Sequence, residues 1–435
     1  MIVKKWLSTL GAALFISFYC CGCGTTDTPS SLPEGPISST STSAAQAEET
    51  SSDAASASKD NASETRTAGS SGTAALTAKP SHSTEQRPAS TQGTKKTTAS
   101  TTAVSTGGKS KNMVEFIGRF NRTSDGFYQF DWGGSTITAG FEGTKIGIRL
   151  RTLKTGNTPN DYLNVTIDDA PPFVLKTDIN TVEYPLAENL KNGYHTVRVT
   201  KRTEATFSSQ LQFEGFLYGT GKAAPAPGRE NRRIEIFGDS ISAGYGNEGK
   251  EAGFRLSEEN IDLTYGAIAA KALHAEYTTV ALSGHGCHIS LSGSTSEVTP
   301  KYFDRLLYKT EKYVDFAKPH PDVVIIHLGT NDFAMNVRVD DYYKSYLAFV
   351  AKVRRSYPNA YIVCTTCGGT TAALETLDKV VDMRKTLYSD TKIGHFVGLF
   401  DDLNGSLGSD GHPSVYGHQQ LADQLVVFIK KAMNW

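Results

Sequence analysis

The chain has 435 residues, and its 44 Lys and Arg against 45 Asp and Glu leave a formal net charge of −1. So even a balance argues against a nucleic-acid binder, which would carry a basic patch. The length allows two or three domains. At the start, Lys4 and Lys5 precede an apolar run over residues 6 to 18, WLSTLGAALFISF. That run is too short to span a bilayer, which takes about 20 apolar residues, and it suits a secretory signal.

The next residues, YCCGCG, put cysteines where a cleavage site belongs. The pattern resembles a bacterial lipoprotein signal over 1–23, with Cys23 after Gly22 as the lipidated residue. Cys20 and Cys21 fit less well, and an ordinary cleaved signal with incidental cysteines is the alternative. Either way the protein is expected to be exported, lipid-anchored at the cell surface or extracellular. Residues 24–111 are Ser-, Thr- and Ala-rich and contain no Phe, Tyr or Trp. Such a stretch buries too little apolar area to offset chain entropy and is expected to be a disordered tether.

From Met113 the composition changes. Short alternating segments (VEFIGRF, YQFDW, STITAGF, KIGIRLRT, YLNVTID, HTVRVTKRT, LQFEGFLYG) separated by Gly, Asn, Asp and Pro predict an all-β sandwich over 112–222. Trp132 is expected in its core. KAAPAPGREN, 222 to 231, reads as a linker. From Arg232 strands alternate with helical stretches: RRIEIFG, YTTVALSG, PDVVIIHLG, AYIVCTTCGG and GHFVGLFD as strands, with helices in LTYGAIAAKALHAE, YYKSYLAFVAKVRRSYP, VVDMRKTLYS and from about Val415. The pattern predicts a three-layer α/β/α domain over 232–435. Ligands of such sheets sit at the carboxyl ends of the strands.

The polar motifs fall at those ends. IFGDSISAGYG puts Ser240 between a strand and a helix, where a hydroxyl is exposed and helix N–H groups converge. With a base to take its proton, such a serine accepts acyl groups; alone, Gly-Asp-Ser is as readily a helix cap. ALSGHGC supplies Gly284, and HLGTNDF supplies Asn331. The Ser240 N–H, the Gly284 N–H and the Asn331 amide would form an oxyanion hole. As single turns they mean little; at successive strand ends they are harder to dismiss. His412, in SDGHPS, would be the base.

GDS, SG, GTND and DGHP, in this order on an α/β/α pattern, resemble the SGNH hydrolases. The segments MVEFIGRF, FDWGGSTITAGFEGTKIGI, NGYHTVRVTKRTEA and FEGFLYG resemble the N-terminal jelly roll of carbohydrate esterase family two. The likeness covers about 113 to 435. It implies a metal-free, cofactor-free serine esterase that removes O-acetyl groups from plant polysaccharides such as xylan and mannan. Carried over residue by residue, Ser240 is the nucleophile, His412 the general base, and Gly284 and Asn331 the remaining oxyanion donors; Asp332 supports the loop. The superfamily pattern is Asp-x-x-His, but Ser409 stands three places before His412, and Asp410 is one place too close. Asp410 is thus a candidate third member. The expectation is a Ser-His dyad with a backbone carbonyl on the imidazole.

Several residues invite other readings. His285, Cys287, His288, Cys364 and Cys367 suggest zinc, yet there is no second Cys-x-x-Cys and the resemblance implies no metal. The three cysteines allow one disulfide and a free thiol, or three buried thiols. Tyr245, Phe254, Tyr302 and Tyr308 flank the motifs, and none is assigned to sugar binding; His418 is expected to be structural. The expected partner is acetylated polysaccharide, with no nucleic acid, no membrane contact beyond an N-terminal anchor, and a monomeric state. The rival functions are a non-catalytic glycan-binding surface lipoprotein and an esterase of lipid or envelope acyl groups.

Overall fold

The computed structural model describes residues 111–153, 158, 160–367, 370–401 and 404–435. The signal segment, Cys23 and the Ser/Thr/Ala-rich stretch up to residue 110 lie outside the described residues. No helix among those described is long and apolar enough to cross a membrane.

Two antiparallel sheets form the first half. One runs β1 (Val114–Ile117), β4 (Thr136–Gly143), β9 (Gly193–Lys201), β6 (Tyr162–Ile167), β7 (Phe173–Lys176), with β11 (Lys222–Ala224) also on β4. The other runs β2 (Asn121–Arg122), β3 (Tyr128–Phe130), β10 (Gln210–Leu217), β5 (Ile146–Leu153), β8 (Glu183–Ala187). Period-2 alternation aims Ile137, Ala139 and Phe141 of β4 at Ile148 and Leu150 of β5, and these close the sandwich core. β7 and β8 carry exposed residues and a proline, so no alternating apolar signal marks them in the sequence. The stretch read as a linker is held at both ends. β11 extends the sheet, Ala226 N donates to Asn112 O at 2.9 Å, and the Arg229 guanidinium reaches Glu276 and the Phe116 carbonyl.

The second half is a five-stranded parallel sheet in the order β13 (Ala275–Ala281), β12 (Arg232–Gly238), β14 (Val323–His327), β15 (Tyr361–Thr365), β16 (Ile393–His395). Its middle strand β14, VVIIH, is buried on both faces and apolar up to His327, as a sheet covered on both sides requires. Ile234, Ile236, Val323 and Ile325 pack beneath α2 (Tyr265–Ala272) and α6 (Val415–Met433). Phe237, Val324 and Ile326 pack beneath α4 (Val339–Ser356) and α5 (Thr371–Tyr388). α5 begins well ahead of VVDMRKTLYS, because Thr370 caps it through the Ala373 N–H. GHFVGLFD is a strand only to His395; Phe396 turns into the core beside Phe428.

Trp132 is not in the sandwich core. It lies past the end of β3, buried in the core of the α/β half, with its ring 5.9 Å from Tyr308. A second cross-connection is ionic. Glu235, on the face of β12 that carries Phe237, is buried and meets Arg119 of the sandwich at 2.7 Å; the guanidinium also donates to the Arg305 and Phe303 carbonyls. A buried carboxylate needs such a partner.

Candidate active site

The parallel register brings three chain segments to one edge. Gly238 pairs with Ala281 on one side and His327 on the other, so the residues that follow each strand emerge together. Gly238 cannot carry a side chain: a Cβ there would lie 2.1 Å from Ser242 Oγ. Ser240 opens the short helix α1 (Ser240–Ala243), where a backbone N–H has no intrahelical acceptor. Asp239 caps that helix by accepting from Ile241 N at 3.1 Å. Burial pushes the Asp239 carboxyl up to about 7, and the nearby Asp332 adds to the rise.

After β13 the chain makes a tight turn. His285 N donates to Leu282 O at 3.1 Å, and Gly284 sits at φ +77°. A positive φ at the third turn position is the mark of a type II turn and favours glycine. After β14, α3 (Thr330–Ala334) presents Asn331 and Asp332, both buried. One N–H of the Asn331 amide donates to His285 O at 2.9 Å, tying this strand end to the Gly284 turn and leaving its second N–H for a ligand. Asp332 accepts from Cys287 N, His288 N and Ile289 N at 2.8, 2.7 and 3.0 Å. It organises the loop behind Gly284.

His412 arrives from the last loop. Its Nε2 lies 2.8 Å from Ser240 Oγ. The loop is pinned to the segment after α1 by Ser409 N to Gly246 O, 3.0 Å, and Val415 N to Asn247 O, 3.0 Å. Burial lowers the proton affinity of His412. The Ser409 and Asp410 carbonyls and the Asp410 charge oppose that in part. Among the described residues none accepts a hydrogen bond from Nδ1 in good geometry, so the expected carbonyl acceptor is not formed and these carbonyls act on the imidazole by their charge.

The Asp410 carboxylate points elsewhere. It accepts from the Tyr245 hydroxyl at 3.1 Å and from Gly253 N at 2.8 Å. Tyr245 in turn packs its ring 4.4 Å from the imidazole and 4.4 Å from Phe254, which meets Phe207 of the sandwich. The sequence alone does not assign Tyr245; the available signal is its place just past α1, where its N–H donates to Ser240 O at 3.1 Å.

The other flagged residues fall away from this point. His418 is buried on α6, accepts from Tyr265 N at 3.2 Å, and burial lowers it to about 3. Cys287, Cys364 and Cys367 are all buried with no disulfide among them, so the disulfide alternative is not realised. Among the described residues no group of His, Cys, Asp and Glu is arranged to hold a metal. Tyr302 and Tyr308 pack on each other beside His285.

Comparison with known proteins places this arrangement. Residues 116–227 match the family model described as carbohydrate esterase 2 N-terminal, and 236–420 match the GDSL-like lipase/acylhydrolase family. The chain is 34% identical over 338 residues to the cellulase/esterase CelE of Acetivibrio thermocellus, over 74% of this chain, and spans 40% of that protein's length. It is 26% identical to an acetylxylan esterase/glucomannan deacetylase of Cellvibrio japonicus, covering 74% of this chain and 89% of that one. Among solved structures, a family two carbohydrate esterase from Clostridium thermocellum in complex with cellohexaose superposes with a TM-score of 0.70 at 30% identity, over 74% of this chain and 99% of that one.

Proposed function

The chain belongs to carbohydrate esterase family two, and on that premise we propose that it removes O-acetyl groups from plant cell-wall polysaccharide such as acetylated xylan or mannan, with Ser240 and His412 as a catalytic dyad. The observation that carries this reading is the 2.8 Å contact between His412 Nε2 and Ser240 Oγ at the shared edge of β12, β13 and β14. Ser240 Oγ attacks the acetyl carbonyl as its proton passes to Nε2. The carbonyl oxygen becomes an oxyanion, held by the Ser240 N–H, the Gly284 N–H and the free N–H of Asn331. The intermediate collapses; the sugar oxygen leaves with the proton from Nε2, and water then attacks the acetyl-enzyme by the same route. Asp410 takes no part in proton transfer, since its carboxylate is engaged by Tyr245 and Gly253.

The enzyme acts outside the cell, anchored through Cys23. Detergent phase partitioning of wild type and Cys23→Ala tests the anchor; equal partitioning into the aqueous phase rules it out. The activity is tested by acetate release from acetylated xylan and glucomannan with wild type and Ser240→Ala. Equal release by the two proteins sinks the assignment.

A further inference from the structure

Each of the three oxyanion donors has a buried carboxyl next to it. Asp239 precedes Ser240 and Asp332 follows Asn331, so two of them are built into the motifs themselves. The third is not local. Gly284 has no acidic neighbour in its own segment. Instead Glu204, from the stretch after β9 of the sandwich, accepts from Ser283 N at 2.7 Å with one oxygen and from the Ser283 hydroxyl with the other. We propose that Glu204 is a positioning residue for the oxyanion hole: the sandwich sets the direction of the Gly284 N–H through Ser283.

The geometry of the turn makes this specific. Ser283 and Gly284 are the two central residues of the Leu282–His285 turn, and the Gly284 N–H belongs to the peptide between them. Type I and type II turns differ chiefly by a flip of that central peptide. A flip would send the Gly284 N–H away from the Ser240 side. Glu204 grips the backbone and side chain of Ser283 together, which fixes the residue on which this peptide pivots. On the other side, Leu291 N donates to Gly284 O at 2.8 Å, so the turn is held at both of its central residues.

Glu204 is itself held with little freedom. It is buried, and its backbone N–H donates to Glu259 Oε2 at 3.0 Å. Glu259 is buried as well, and burial raises the proton affinity of both carboxyls. The Arg202 Nε donates to the Glu259 carbonyl at 2.9 Å. The neighbouring Lys201 ammonium meets Asp161 at 2.9 Å and Ser208 Oγ at 2.6 Å, so this stretch of the sandwich is anchored on all sides.

The inference rests on the esterase reading above. It is tested with p-nitrophenyl acetate, which reads acyl transfer without the sugar, and with a boronic acid, whose serine adduct places an anionic oxygen in the hole. For Glu204→Ala we expect kcat to fall by about 10- to 100-fold, less than loss of a whole donor, with KM changed by about 2-fold or less. The boronate inhibition constant should rise in step with the loss in kcat. Glu204→Gln retains a carbonyl acceptor for the Ser283 N–H and should recover most of the activity; Ser283→Ala, which loses the hydroxyl bond alone, should fall between. Thermal melts report whether each variant is folded, and if Glu204→Ala does not fold, the Gln and Ser283 variants carry the same comparison. Folded variants with unchanged kcat, or with a loss that appears in KM and not in boronate binding, overturn the positioning role alone. A wild type inert towards p-nitrophenyl acetate overturns both readings together.

Discussion

Asp410 gives its carboxylate to the Tyr245 hydroxyl at 3.1 Å, and Tyr245 lays its ring against His412 at 4.4 Å. The acid two places before the histidine therefore acts on it through an aromatic ring and its own backbone carbonyl. Asp410 stands in the left-handed region, φ 51°, and the neighbouring Gly411 also has positive φ. This local coil turns the Asp410 side chain towards Gly253 while the backbone carries His412 to Ser240.

Removal of the Asp410 carboxylate should thus be tolerated where removal of the imidazole is not. Asp410→Ala is expected to lower kcat by about 10-fold or less, whereas His412→Ala should cost about 1,000-fold or more, as loss of a base does in serine hydrolases. Tyr245→Phe should match Asp410→Ala in size. Steady-state kinetics on acetylated xylan measure all three. Equal losses in folded Asp410→Ala and His412→Ala would return Asp410 to the role of triad acid.

The pH profile follows from the burial of His412. The base must be neutral to accept the Ser240 proton, and desolvation, the largest influence on it, disfavours the charged form. The acid limb of kcat/KM should therefore rise with pH through an apparent pKa below about 6.5, the free histidine value, and be flat at neutral pH. A midpoint above that value contradicts the burial argument.

Much of this site could be read from residue order. Ser240, Gly284, Asn331 and His412 each lie in a short motif at a strand end, and parallel strands bring successive ends together whatever the details of packing. The strands of the α/β half were legible for a similar reason, being short apolar runs bounded by turn residues. Glu204 was not legible. Its partner Ser283 is 79 residues away, and nothing in KRTEATF says where that loop will land. Trp132 misled because alternation in YQFDW continues past the end of β3, where the chain has already left the sandwich. The Ser409 and Asp410 carbonyls that bear on the His412 imidazole are backbone groups, which leave no trace in residue identity.

Asp332 should prove a structural residue of the site, not a reacting one. Its carboxylate satisfies three backbone N–H groups of the 287–289 loop. Asp332→Ala leaves them without an acceptor, at about 1–3 kcal/mol for each buried group left unpaired. Thermal or urea unfolding should register a loss of about 3 kcal/mol or more, with activity falling as well. Unchanged stability would remove Asp332 from that role.

Asp131 offers a test away from the site. It is fully buried, one oxygen accepting from Tyr308 N at 2.9 Å, and burial pushes it up to about 7. A carboxyl raised in the folded state contributes most below its unfolded pKa of about 4, and that contribution is lost as pH rises to about 7. Asp131→Asn keeps the acceptor and cannot ionise. It should flatten the stability profile between pH about 4 and 7 and be the more stable protein at pH 8, by at most about 4 kcal/mol. Urea melts at pH 5 and pH 8 decide this; a variant less stable than wild type at pH 8 contradicts it.

The ion pair of Arg119 with Glu235 crosses from the sandwich into β12, an inner strand of the parallel sheet. Its two ends belong to different domains, and neither has water to fall back on. A recombination event that joined this α/β half to a foreign sandwich at the 222–231 junction would strand Glu235 as an unpaired buried charge, and with it the Ser283 donors that Glu204 satisfies. The seam therefore constrains any exchange of modules: a new sandwich would have to bring its own cation for Glu235 and its own acceptor for Ser283.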